Sequence, residues 1–403
     1  MQIFIIGIAC LLAIYMAWNI GANDVANSMS TAVGTRAITL RQAVLIAAIL
    51  DMLGAVFVGS HVTETLRKGI VNPAFILPEK IMYGSLAALF AASLWVTFAT
   101  WRELPVSTTH SIVGALVGFG VIAGGLGVVN WRKLGQVALS WVVSPIFAGI
   151  LSFLILHIIR LTILEREKPV NEALKFSPII TGITFFIFTL AIFFKTPLGK
   201  RIGDTQFAFL ISSTVGVVSA IGGYFVMRHI AQRYNDVEEF FRRLQILTSC
   251  YVAFSHGAND VANAISPFAT IILIAKTGKM ALKVEVPLYI LAIGGVGIAL
   301  GILTWGYKVI RTVAFKITQL TNSRAFCIDF SAASSVLLAS KLGLPVSTTH
   351  ACVGAVIGVG LARGIEALDL RVIRDIVYSW FITLPVTAGL SAGFFKLFTM
   401  IFK

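Results

Sequence analysis

Charge is scarce in this chain. Only 12% of its 403 residues are Asp, Glu, Lys or Arg, against about 25% in a soluble domain. Too few polar side chains remain to cover a water-facing surface, so a soluble core is excluded. Cysteine is scarce too. Cys10, Cys250, Cys327 and Cys352 stand singly in apolar stretches, without metal-ligand or redox spacing. They are expected to be small apolar fillers. The stretch Met1 to Trp18 lacks any basic residue, the first arginine being Arg36, and no small-residue cleavage site follows it. It is expected to be a retained membrane segment, not a cleaved leader.

What fills the chain instead is hydrocarbon. Hydrophobic residues make up 57% of it, and mean hydropathy is +0.90. Apolar runs able to cross about 30 Å of bilayer recur along the whole length. Membrane segments are expected at residues 3–19, 41–60, 82–100, 105–129, 135–160, 176–194, 206–227, 246–275, 286–310, 326–340, 345–361 and 376–402. The pair 326–340 and 345–361 is short and separated by proline, which suggests half-crossings or a hairpin. Residues 21–35 look too polar and glycine-rich for an ordinary crossing. The expected class is an all-α polytopic membrane protein of about 12 segments.

The net charge is +14, from 32 Lys+Arg against 18 Asp+Glu. The basic residues gather between apolar runs, at Arg160, Arg166, Lys168 and Lys175 and again from Arg228 to Arg243. That pattern belongs to cytoplasmic loops beside anionic lipid. No basic–aromatic patch suggests nucleic acid. If these loops are cytoplasmic and the first repeat makes an odd number of crossings, the N-terminus lies outside.

The chain also repeats itself. Gly21-Ala22-Asn23-Asp24-Val25-Ala26-Asn27 returns as Gly257-Ala258-Asn259-Asp260-Val261-Ala262-Asn263. Leu104-Pro105-Val106-Ser107-Thr108-Thr109-His110 returns as Leu344-Pro345-Val346-Ser347-Thr348-Thr349-His350. After each histidine a glycine ladder follows, Gly114, Gly118 and Gly120 against Gly354, Gly358 and Gly360, a spacing that lets helix backbones approach. Further on, Ser140-Trp141 with Pro145 answers Ser379-Trp380 with Pro385, one residue out of step. The tryptophans suit interfacial anchoring and core packing equally. Three blocks follow: a first membrane repeat over 1–160, a connector over 161–243 with two membrane segments and a polar helix, and a second membrane repeat over 244–403. Two such repeats point to one shared site near the membrane centre, built by both copies.

The repeated words carry the chemistry. Gly21 and Gly257 permit a helix break. Asp24 and Asn27, three apart, share a helical face. A carboxylate at membrane depth is costly unless paired or neutralised, and two in matched positions signal function. Pro105 and Pro345 open helices. Ser107, Thr108 and Thr109, with Ser347, Thr348 and Thr349, then occupy cap and first-turn positions suited to an anion. The motifs hold no Lys or Arg, so an anion beside Asp24 and Asp260 requires a small cation. A hard cation such as Na⁺ suits carboxylate, amide and hydroxyl oxygens. Cation-coupled oxyanion transport follows from this balance.

With these motifs in both halves, the chain is similar to the inorganic phosphate transporter family. The resemblance implies an inverted-repeat fold, phosphate as substrate and Na⁺ or H⁺ as coupling ion. It assigns Asp24, Asn27, Asp260 and Asn263 to Na⁺. It assigns Asn23, Asn259, Ser107, Thr108, Thr109, Ser347, Thr348 and Thr349 to phosphate. Ser28 is answered by Ala264, so the two cation sites need not be equal. No cofactor is expected besides the transported ion. Expected partners are phosphate, Na⁺ or H⁺, and the bilayer of a prokaryotic-type plasma (inner) membrane, with room for a homodimer.

Some polar residues fall outside the repeat. Asp51 and Asp329 read as third cation sites or as satisfied packing groups, His256 as structural, and Arg102 with Glu103 as a local ion pair. A proton-coupled phosphate or sulfate permease is the nearest alternative. An intramembrane hydrolase using Ser107, His110 and Asp24 is a remote one, because a catalytic site needs one nucleophile and here everything is duplicated.

Overall fold

The computed structural model describes residues 2–60, 62–63, 66, 70–72, 75–102, 106–195, 205–278, 286–310, 320–364 and 370–402. Helices run through nearly all of them. They are α1 (Gln2–Gly34), α2 (Leu40–Val58), α3 (Pro78–Trp101), α4 (Thr108–Gly124), α5 (Trp131–Ile159), α6 (Pro169–Lys195), α7 (Thr205–Arg233), α8 (Val237–Thr277), α9 (Leu288–Gly301), α10 (Asn322–Lys341), α11 (Thr348–Arg363) and α12 (Leu370–Ile401). Among the described residues, nine are long and apolar enough to cross a membrane, and α4, α10 and α11 are the shorter or more polar ones. This is the expected polytopic all-helical class.

The packing partners come in matched pairs. Helix α4 lies on α12, and α11 lies on α5; α1 packs on α9, and α8 on α2. The hairpin α3–α4 is answered by α10–α11. Each half therefore reaches into the other. Helix α8 is central, with 89% of its most apolar window buried, whereas α7 has only 17%. Helices α6 and α7 pack chiefly on each other and turn Phe209, Leu210, Val217, Val218 and Phe225 outward. With no water to satisfy backbone groups in lipid, such apolar helices belong against acyl chains.

Two expectations fail in position. Helices α1 and α8 run unbroken through Gly21 and Gly257. A Cβ on Gly21 would collide with the Ile298 carbonyl of α9, and one on Gly257 with the Asp51 carbonyl of α2. These glycines serve close helix crossings, so their conformational freedom is not used. The interruptions fall instead between α3 and α4 and between α10 and α11. The polar stretch from Arg228 is likewise no separate helix. Arg228 to Arg233 end α7, Asn235 takes a left-handed turn at φ 48°, and α8 begins after it. Asp236 caps α8 by accepting from Glu238 N at 2.9 Å.

The glycine ladders pack as their spacing suggested. A Cβ on Gly114 or Gly118 would strike the Leu384 or Ala388 backbone of α12, and one on Gly354 or Gly358 the Pro145 or Gly149 backbone of α5. Backbone cannot yield as a side chain can, so overpacking here should be costly. Gly358→Val is expected to lower thermal stability in detergent by about 1–3 kcal/mol. Gly389→Ala, whose added Cβ meets open space, should leave it unchanged or slightly higher. An unmoved unfolding midpoint for Gly358→Val would contradict this crossing.

Candidate functional site

Helices α1 and α8 meet side by side at the two Asp motifs, and the N-termini of α4 and α11 point into the same place. Ser107 and Ser347 cap those helices, each accepting the backbone N–H of the histidine three residues on at 3.2 Å. Helix geometry then leaves the first backbone N–H groups of each helix without an intrahelical acceptor. Pro345 precedes α11 in irregular chain, and the Ser347 cap itself is extended. Leu104, Pro105 and Glu103 lie outside the described residues, and with Glu103 the expected Arg102–Glu103 pair. The Arg102 guanidinium stacks over Phe98 and Trp101, at 5.3 and 5.1 Å from their ring centres.

The hydroxyls of the second motif meet the carboxylates of the first. Thr108 Oγ1 donates to Asp24 Oδ2 at 2.7 Å, and Thr348 Oγ1 donates to Asp260 Oδ2 at 3.1 Å. Thr109 lies 3.3 Å from Asp260 Oδ1. Asn27 Nδ2 donates to Thr349 Oγ1 at 2.9 Å, and Asn263 Nδ2 to Thr109 Oγ1 at 3.2 Å. The amides thus bridge the repeats: Asn27 in the first half holds Thr349 in the second, and Asn263 holds Thr109. Asp24, Asp260, Asn263 and all six Ser-Thr-Thr residues are 3% exposed or less, and Asn27 is half-buried.

Asn23 and Asn259 brace the loops that precede α4 and α11. Asn259 Nδ2 donates to the Val346 carbonyl at 2.8 Å and to Asp260 Oδ1 at 3.0 Å, while its Oδ1 accepts from Ser340 at 3.2 Å. With its amide assigned in the same sense, Asn23 donates to the Val106 carbonyl at 3.3 Å and to Asp24 Oδ1 at 2.9 Å, and accepts from Thr100 at 2.9 Å. Thr100 and Ser340 are 240 residues apart, the offset of the Ser-Thr-Thr motifs. That shared offset was the signal that could have found them.

His256 is a second residue that sequence reasoning undervalued. Its Nδ1 is hydrogen-bonded to Asp51 Oδ1. Its Nε2 lies 3.2 Å from Asp260 Oδ2 and 3.7 Å from Asp24 Oδ2. All four groups are buried. Asp24, His256 and Asp260 offer three ligand atoms within 4.8 Å of one another, a grouping able to hold a small cation. When Asp51 fixes the single proton on Nδ1, Nε2 presents a lone pair to that point. When doubly protonated, it donates to Asp260 instead. Asp51 and His256 both lack a repeat counterpart, and each is the other's partner.

Asp329 is satisfied separately. It accepts from Thr31 Oγ1 at 2.9 Å and from Ser249 Oγ at 2.6 Å, tying α10 to α1 and α8. Thr31 lies seven residues beyond Asp24, about 10 Å along the helix.

The two histidines of the Ser-Thr-Thr-His motifs cross over. His110 Nδ1 approaches the Trp380 carbonyl at 3.4 Å, and His350 Nδ1 the Trp141 carbonyl at 3.1 Å. The His110 ring packs on Trp141 and the His350 ring on Trp380. Trp141 Nε1 donates to the Pro345 carbonyl at 3.0 Å. Core packing is therefore the role of Trp141, and Trp380, half-buried, packs its ring on His350. The hydrolase triad is not assembled. Ser107 Oγ serves a backbone N–H, the His110 ring faces Trp380, and Asp24 receives Thr108.

Comparison with known proteins agrees with this arrangement. The model of the phosphate transporter family matches residues 20–391. A Pyrococcus abyssi protein named as a phosphate permease is 51% identical over 96% of this chain and 96% of its own length. The chloroplastic inorganic phosphate transporter 2-1 of Arabidopsis thaliana is 40% identical over 97% of this chain and 72% of its own. A solved structure described as the sodium-dependent phosphate transporter superposes with a TM-score of 0.93 at 46% identity, covering 99% of this chain and all of that one. This chain is an integral membrane protein of the phosphate transporter family, a family of transporters and not of enzymes.

Proposed function

We propose that the protein is a secondary transporter that moves inorganic phosphate together with Na⁺ through one central site built by both repeats. The observation that carries this is the buried pairing of Asp24 and Asp260 with the hydroxyls of Thr108 and Thr348. Those hydroxyls point their protons at carboxylates, so they are not free for an anion. A cation at the carboxylates would take over as their counter-charge and release the hydroxyls to phosphate. Cation and anion then bind cooperatively. Asp24, Asn27, Asp260 and Asn263 would serve Na⁺. The Ser-Thr-Thr runs would serve phosphate, with Asn23 and Asn259 holding their loops. His256 would let a proton compete with Na⁺ for the same acids.

The proposed repeats have opposite orientation, with boundaries near residues 160 and 244. Supporting this, the equivalent helices α1 and α8 step past each other in opposite directions: Thr35 meets Gln245, whereas Asp24, further back on α1, meets His256 and Asp260, further on along α8. Rocking one half against the other around a fixed site would give alternating access. The ends of α5 and α7 and the start of α8 form one charged face. With that face in the cytoplasm of a prokaryotic-type plasma membrane, the antiparallel course of α1 places Gln2 outside.

Phosphate uptake into proteoliposomes tests the function directly. Accumulation is expected under an inward Na⁺ gradient and not under a pH gradient alone. Accumulation driven only by pH would move the protein to the proton-coupled alternative. Sulfate at equal concentration should compete weakly, because it has no proton to donate to Asp24 or Asp260.

Thr108→Val and Thr348→Val keep shape and remove one hydroxyl each. Each is expected to weaken phosphate binding by about one to two decades, the worth of a hydrogen bond to an anion, about 1.5–3 kcal/mol. Unchanged affinity in both variants would remove these residues from the site.

Asp51 and His256 should behave as one unit. Asp51→Asn or His256→Gln alone leaves a buried partner short of its counterpart and should lower thermal stability. The double variant should lose less than the sum, with a coupling of about 0.5–3 kcal/mol. Strict additivity would show that the pair does not interact.

A further inference from the structure

At the charged face, well away from the paired acids, four helix ends enclose a cavity of about 320 Å³. The end of α5 brings Arg160, the start of α8 Glu238, the start of α10 Ser323 and Arg324, and the end of α11 Arg363. Three guanidiniums therefore share this space with two carboxylates, Glu165 and Glu238.

Both carboxylates are already engaged. Glu165 pairs with Arg160 at 2.5 Å. Glu238 accepts the backbone N–H of Ser323 at 2.9 Å and its hydroxyl at 2.6 Å, so it sits on the N-terminus of α10. Arg160 also donates to the Ala362 carbonyl. Arg363 pairs with no acid among the described residues. Arg324 precedes the apolar run that begins at Phe326; burial and the neighbouring Arg363 and Arg160 charges hold it below the usual arginine range, with Glu238 opposing them in part. Guanidiniums crowded in this way repel one another unless an anion joins them. Their planar donor forks match a phosphate oxygen pair.

We propose that this cavity is a second anion site, one that takes a phosphate group through Arg160, Arg324 and Arg363. The phosphate can belong to free inorganic phosphate at the cytoplasmic mouth or to the headgroup of an anionic lipid. The site uses none of the residues assigned to transport, and it stands whether or not the central site binds as described.

The test uses purified full-length protein in neutral detergent and the variant Arg324→Gln/Arg363→Gln, with Arg363→Gln alone as a second variant. Arg363 is exposed and has no acidic partner among the described residues, so its loss should not disturb folding. In equilibrium dialysis with labelled inorganic phosphate, Thr108→Val/Thr348→Val should retain one site per chain, and the double Arg variant should bind there at least tenfold more weakly. If the ligand is a lipid, dialysis shows no such second site. Native mass spectrometry from mixed nanodiscs then shows a retained phosphatidylglycerol, but no retained phosphatidylcholine, and both Arg variants lose it. Either pattern supports the site and names its source. Neither a second phosphate site nor a retained phosphatidylglycerol, or retention unchanged in both Arg variants, would overturn it.

Discussion

Two carboxylates buried within reach of one imidazole, in a protein surrounded by lipid, are the constraint from which the rest of this structure follows. A lone carboxylate at membrane depth is costly. Asp24 and Asp260 are held by hydroxyls, amides and His256, and no Lys or Arg stands among the motif residues. The site is therefore polar without a fixed positive charge. On the reading proposed above, such a site would take a mobile cation first and would accept an anion only beside it. Cooperative binding of the two ions would be a consequence of the same charge balance.

Duplication supplies the geometry. A single helix N-terminus offers hydroxyls and amides from one side only. The second repeat adds another, and the bridging amides Asn27 and Asn263 tie each to the other half. Because α4 rests on α12 and α11 on α5, each half seats its Ser-Thr-Thr helix on a helix of the other. The crossed His–Trp contacts fasten the same joints. Glycine makes this interlock feasible, since the crossings bring backbone against backbone.

Much of this was legible in the chain. The residues of the repeated motifs do meet in the fold, and the four-residue glycine spacing announced the close crossings. Ser107 and Ser347 cap their helices as their positions suggested. What could not be read was the continuity of α1 and α8. Glycine and asparagine disfavour a helix locally, but buried partners from other helices outweigh that preference. Nor could the Asp51–His256 pair be read, because its members are 205 residues apart in sequence and fall outside the repeat. Asymmetric residues leave no echo, and only the folded chain shows that they answer each other. The same holds for Trp141, whose apolar surroundings suited a membrane surface as well as a core.

The central claim is reciprocal coupling between cation and phosphate at Asp24 and Asp260. It is tested most directly by equilibrium binding of phosphate with Na⁺ varied, and of Na⁺ with phosphate varied, in wild type, Asp24→Asn and Asp260→Asn. Thermodynamic linkage requires the same factor in both directions, and an allosteric coupling of ordinary size makes it about 5–150-fold. Wild type is expected to show that factor and both variants to lose it while remaining folded, with unequal severity because Ser28 is answered by Ala264. Phosphate affinity that ignores Na⁺ in wild type, or coupling that survives in both variants, would contradict the account.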